Sequence, residues 1–128
     1  MRKLNHILLI DDDTINNFIN EKLLKKLNIA NKISVALNGE EALNFLKQIC
    51  VEVNECPELI LLDINMPVMD GFEFLEEFEK LPPHVHEHCP IIMLSSSIDP
   101  GDQERADNNR FVKKFINKPI NKDKVLEL

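Results

Sequence analysis

The sequence predicts an α/β domain built on a parallel sheet with helices on both faces. Two observations carry this. Short apolar runs alternate, five times in succession, with stretches whose apolar residues recur at helical spacing. Within the runs the apolar residues are continuous rather than alternating, as in strands covered on both sides.

The elements follow in order. "HILLI" (6–10) reads as the first strand, and Ile15, Phe18, Ile19, Leu23, Leu24 and Leu27 mark the apolar face of a first helix. "KISVAL" (32–37) is a shorter strand with β-branched residues. Asn38 is then the expected N-cap of a second helix, with Glu41 three residues on and Ala42, Phe45, Leu46 and Ile49 along one face. "ELILLD" (58–63) is the third strand. Asp70 caps the next helix with Glu73 as its partner; Phe74, Leu75 and Phe78 form its apolar face, and Pro82-Pro83 stops it. "PIIMLS" (90–95) is the fourth strand, and Asp99-Pro100 reads as N-cap and first helical position. The segment that follows has almost no apolar residue except Ala106, so that helix is expected to be short and weakly docked. "FVKKFIN" (111–117) holds the fifth strand, and "NKDKVLEL" (121–128) starts a last helix.

No repeat, low-complexity tract or linker interrupts the chain. Residues 1–128 are therefore expected to form a single domain, with no output domain visible. The net charge of −7 argues against a nucleic-acid partner. The N-terminal apolar run, Ile7 to Ile10, is short for a secretion signal, and no run approaches a membrane span. The expectation is a cytoplasmic protein without membrane contact. The three cysteines, Cys50, Cys56 and Cys89, do not suggest a disulfide framework, and Cys56 and Cys89 read as small apolar packing residues.

The polar residues at the strand ends carry the chemistry. The first strand ends at Asp11-Asp12-Asp13, the third at Asp63, the fourth at Ser95, and the fifth near Lys118. Open α/β sheets bind ligands outside the carboxyl ends of their strands. Carboxylates gathered there repel unless a cation neutralises them, and hard oxygen ligands suit Mg²⁺. A lysine and a hydroxyl facing the same point would bind phosphoryl oxygens. An aspartate can itself be the nucleophile and form an aspartyl phosphate.

At this point "LLIDDD", "LILLDINMPVMDG", "PIIMLSSS" and "FINKPI", in that order, make the chain resemble the CheY-like receiver domain of two-component response regulators. The resemblance covers essentially the whole chain. It implies a doubly wound, flavodoxin-like (βα)5 three-layer sandwich with strand order 2-1-3-4-5. It implies that Asp63 is the phosphoacceptor, that Asp12 binds Mg²⁺ directly and Asp11 through water, and that Asn65 lends the metal its backbone carbonyl. Ser95 matches the switch hydroxyl, Lys118 the lysine that pairs with the phosphoryl group, before a cis bond to Pro119, and Phe115 the aromatic switch residue. It further implies a sensor histidine kinase or histidine phosphotransfer protein as phosphodonor, a downstream protein target of unknown identity, and a switch rather than an enzyme. The chain departs from the family at Phe111 and Val112, where Gly-Ala is frequent, and in its polar fourth helix.

Other readings compete. Asp13 is expected to cap the first helix rather than bind a ligand. Ser96 and Ser97 read as loop or cap residues, although Ser96 is placed to shape access to the site. "HVHEHC" (84–89) puts His84, His86, His88 and Cys89 close enough in sequence to raise a zinc site. The alternating spacing after Pro-Pro is not a standard zinc pattern, and a solvated loop is the expectation. "DDDTI" resembles the Asp-x-Asp motif of haloacid-dehalogenase-type phosphatases, but Ile15 stands where those enzymes need Thr or Val.

Overall fold

The computed structural model describes residues 3–52, 55–96 and 99–126. Five strands, β1 (Leu4–Ile10), β2 (Ala30–Ala36), β3 (Leu59–Asp63), β4 (Ile91–Ser95) and β5 (Val112–Asn117), form one sheet in the order β2-β1-β3-β4-β5. Every pairing is parallel, from Leu4 opposite Ala30 to Ser95 opposite Asn117. The helices are α1 (Thr14–Lys26), α2 (Gly39–Ile49), α3 (Gly71–Glu79), α4 (Pro83–His88), α5 (Pro100–Asp107) and α6 (Lys122–Leu126). This is the doubly wound order expected from the sequence.

Alternate residues of β1, β3 and β4 feed different cores. Ile7, Leu9, Leu59, Leu61, Ile92 and Leu94 pack with Leu24 of α1 and Val125 of α6. Leu8, Ile10, Ile60, Leu62, Ile91 and Met93 pack with Leu46 of α2 and Phe74 and Phe78 of α3. Both sets are buried, which is why the strands read as unbroken apolar runs. Each such side chain contributes about 1.5–3 kcal/mol of apolar burial, and β3 is flanked on both edges and both faces.

The caps follow the sequence. Asp13 accepts from the backbone of Ile15 and Asn16, Asn38 from Glu41, and Asp99 from Gly101. Asp70 and Glu73 form a reciprocal capping box. The α5 helix is short, and Ala106 is its buried residue, as expected.

Three expectations are corrected. Residues 83–88 are helical, not a solvated loop. Pro83 sits at the start of α4, where a missing N–H costs nothing, and Val85 and Cys89 drive this short helix into the core. Its histidines do not converge: the ring nitrogens of His84, His86 and His88 bond to the carbonyls of Cys50, Phe78 and His84 respectively. Second, Cys50 and Cys56 are joined as a disulfide, because the turn after α2 brings their Cα atoms to 4.7 Å. Cys89 stays a thiol, buried, with its pKa pushed up to about 12 by desolvation.

Third, Ile15, Phe18 and Ile19 do not face the core; they are 69%, 62% and 56% exposed. At 100° per residue they fall roughly opposite the stripe that runs from buried Asn17 to buried Leu24. The apolar residues of α1 therefore make two faces, one of which meets solvent.

Candidate functional site

The carboxyl edge of the sheet gathers the chemistry. Asp11 follows β1 directly, Asp63 is the last residue of β3, and Lys118 follows β5. The sheet's parallel register brings these three ends together, although more than a hundred residues separate Asp11 from Lys118. Asp11 and Asp63 are each 5% exposed, whereas Asp12 between them faces solvent. One carboxylate oxygen from each of Asp11, Asp12 and Asp63 lies within 4.8 Å of the others.

Lys118 holds this cluster together. Its Nζ lies 2.9 Å from Asp11 Oδ2 and 2.9 Å from Asp63 Oδ1. Burial alone would lower the lysine's pKa, but its bonds to Asp11 and Asp63 outweigh this and hold it raised. Asp63 moves up from the ordinary carboxylate range. Burial is the main cause, and Asp11 and Asp12 add to it, while Lys118 pulls the other way. The Lys118–Pro119 bond is cis, as the resemblance implied. The Lys118 backbone N–H donates to the carbonyl of Ser95 at 2.8 Å, tying the ends of β4 and β5 together.

The loop after Asp63 closes tightly. Gly71 N–H donates to Ile64 O at 2.7 Å. A Cβ on Gly71 would come within 2.8 Å of Asp63 O and 2.9 Å of Ile64 Cα, so only glycine fits this approach. Across the cleft, Asp11 Oδ1 accepts from Asp13 N–H and Asp11 O accepts from the Asn17 side-chain amide.

The result is an open cleft of about 510 Å³, whose walls include Asp11, Asp12, Asp63, Asn65, Ser96 and Lys118. Hard carboxylate oxygens on one side and one ammonium on the other can hold a divalent cation and a phosphoryl group together. A model of the response regulator receiver domain matches residues 7–128.

The chain belongs to the response regulator receiver family.

The receiver resembles a two-component response regulator of Cytophaga hutchinsonii, with a TM-score of 0.91, 31% identity, and coverage of 98% of this chain and 94% of that one. It is 34% identical over 113 residues to the sensor histidine kinase CheAY of Helicobacter pylori, a match over 88% of this chain and 13% of that protein. It is also 32% identical over 97 residues to the response regulator Rcp1 of a Synechocystis strain, covering 75% of this chain and 65% of that protein. The chain thus spans only a small part of the kinase relative, and about two thirds of Rcp1.

Not every sequence-predicted residue meets at the cleft. Asn65 lines it, and so does Ser96, the serine expected to shape access. Ser95 ends β4 fully buried. Phe115 is half-buried on β5 and packs against the core beneath α2 and α3. Asp13 spends its carboxylate on the α1 cap, as expected. Ser97 lies outside the described residues. Asn17 and Ile19 were missed. Both sit on α1, Asn17 bonded to Asp11 and Ile19 lining the cleft; counting 3.6 residues per turn from Leu24 would have found Asn17. No helix among the described residues is long and apolar enough to cross a membrane.

Proposed function

We propose that this receiver is a phosphorylation-controlled switch in which Asp63 takes a phosphoryl group from the phosphohistidine of a sensor histidine kinase or phosphotransfer protein. The observation that carries the reading is the Lys118 ammonium set equally against Asp11 and Asp63 beside the solvent-open Asp12. An Asp63 carboxylate oxygen attacks phosphorus in line. The P–N bond to the donor imidazole breaks, and the imidazole leaves with the bonding pair. Lys118 then shifts its hydrogen bond from Asp63 to a phosphoryl oxygen. The Ser95 hydroxyl turns towards another, and Phe115 follows into the space released. The surface formed by α5, β5 and α6 passes the change to a downstream protein.

Asp11, Asp12 and Asp63, with the backbone carbonyl of Asn65, would hold Mg²⁺. The donor set fits, since it is all oxygen and carries more negative charge than one lysine offsets. When bound, the ion offsets charge on the transferring group.

The exposed Ile15, Phe18 and Ile19 stripe runs into the cleft through Ile19. It supplies an apolar landing for the phosphodonor, so that the donor histidine meets Asp63. Phe18→Ser is expected to slow transfer from a phosphohistidine protein while leaving labelling by acetyl phosphate unchanged.

The direct test is acetyl phosphate or phosphoramidate with Mg²⁺, read by intact mass. A phosphoryl adduct on the wild type, absent from Asp63→Asn, supports the reading. No adduct under conditions that label other receivers defeats it, and sustained turnover of added phosphoesters would favour a phosphatase.

A further inference from the structure

Three sulfur atoms meet at the edge of the sheet opposite the cleft. Cys50 is the C-cap of α2, Cys56 precedes β3, and Cys89 is the C-cap of α4. They are 4%, 4% and 1% exposed. Cys50 and Cys56 form the disulfide and Cys89 is a thiol, yet all three sulfurs lie within 4.8 Å of one another. The phosphoryl chemistry uses none of them. A disulfide needs two cysteines, and the third sulfur is delivered to the same point by α4, the helix that lies between α3 and β4.

We propose that, once the Cys50–Cys56 bond is reduced, Cys50, Cys56 and Cys89 hold one thiophilic ion in three-sulfur coordination, and that the disulfide form does not. Thiolates select soft ions. Zinc completes four-coordinate structural sites, but among the described residues no fourth His, Cys, Asp or Glu joins the cluster. His84, on α4, bonds through Nε2 to the carbonyl of Cys50 at 2.7 Å. It braces α4 against α2. The site therefore suits ions content with three sulfurs, Cu⁺ or trivalent arsenic. The surroundings are the apolar core that holds Cys50, Cys56 and Cys89 with Leu46, Phe74 and Val85. A complex of low net charge is favoured in such a place, and arsenic bound by three thiolates is uncharged.

The steps balance. Two thiols of a reductant give two electrons and two protons to the disulfide, leaving Cys50 and Cys56 as thiols and the reductant as a disulfide. Arsenous acid then exchanges its three hydroxyls for three sulfurs and releases three waters. Cu⁺ binding instead releases one proton from each thiol that becomes a thiolate.

The experiment uses the protein reduced by a phosphine and freed of reductant without oxygen. It is titrated in separate arms with arsenite, with Cu⁺ and with Zn²⁺, and read by native mass spectrometry and by alkylation of free thiols. One arsenic or one copper per chain, with all three cysteines protected from alkylation, is the expected result. The oxidised protein and Cys89→Ala should lose the ion, while acetyl phosphate still labels Asp63 in both. Failure of the reduced protein to retain either ion overturns the proposal, as does tighter retention of Zn²⁺ or retention by Cys89→Ala. Should that variant not fold, wild-type alkylation decides: protection of only two cysteines overturns the proposal.

Discussion

Lys118 Nζ stands 2.9 Å from Asp63 Oδ1, and both side chains are largely withdrawn from solvent, at 16% and 7% exposure. The ammonium is the fixed positive charge facing an aspartate that burial and two neighbouring carboxylates otherwise push towards protonation. Lys118→Met removes it. Asp63 and Asp11 then stay buried without their cation, a loss of about 2–3 kcal/mol in urea unfolding at neutral pH. Labelling by acetyl phosphate should slow roughly 100-fold, the usual effect of deleting one preorganised donor.

The raised pKa of Asp63 sets a pH dependence. The folded chain binds this proton more tightly than the unfolded chain. The resulting stabilisation is full below the ordinary carboxylate range and is lost as pH rises through the raised value. At neutral pH the ionised Asp63 therefore costs stability. Asp63→Asn should raise Tm by roughly 4 °C, about 1 kcal/mol for a domain of this size, and the gain should vanish in acid. In the wild type, labelling should fall as pH drops through the same raised value, because the proposed nucleophile is the ionised carboxylate.

Mg²⁺ should stabilise the native chain by about 2.7 kcal/mol at one-hundredfold excess over its Kd. Asp12 faces solvent, so Asp12→Asn should leave the metal-free Tm within the equivalent of about 0.5 kcal/mol. It should abolish most of the Mg²⁺ increment in thermal melts, and chelation should abolish it in the wild type.

Gly71 is required by the approach of its backbone to Asp63 O and Ile64 Cα, neither of which can move aside cheaply. Gly71→Ala should cost about 1–3 kcal/mol in urea unfolding. Gly101→Ala is the control. Its Cβ would meet an Asp99 carboxylate oxygen at 3.2 Å, the end of a side chain that can give way.

Val68 has φ of 69° and is 86% exposed, a β-branched residue in left-handed backbone within the loop after Asp63. Val68→Asn should add about 1 kcal/mol of stability. Equal stability of the two proteins would show that the loop holds no such strain.

The alternation of apolar runs and amphipathic stretches contained the sheet and five of the helices, because each signal is local. A strand buried on both faces needs an unbroken apolar run, and a helix start needs a cap within three residues. Asp13, Asn38, Asp70 and Asp99 all cap as read. The α4 helix was not legible in this way. Its six residues give too short a period to register, and it is anchored by the burial of Val85 and Cys89, which depends on how the helix docks.

The sequence by itself determined the strands, the caps and the residues at the strand ends, down to Asp63 and Lys118. These are set by neighbours a few positions away and by motifs whose spacing is a property of the chain. Only the tertiary structure decided that Lys118 bridges Asp11 and Asp63, that Ile15, Phe18 and Ile19 face solvent, and that Cys50, Cys56 and Cys89 share one point. Each of these depends on how α1, α2 and α4 rotate and dock on the sheet, and packing across the whole molecule fixes that.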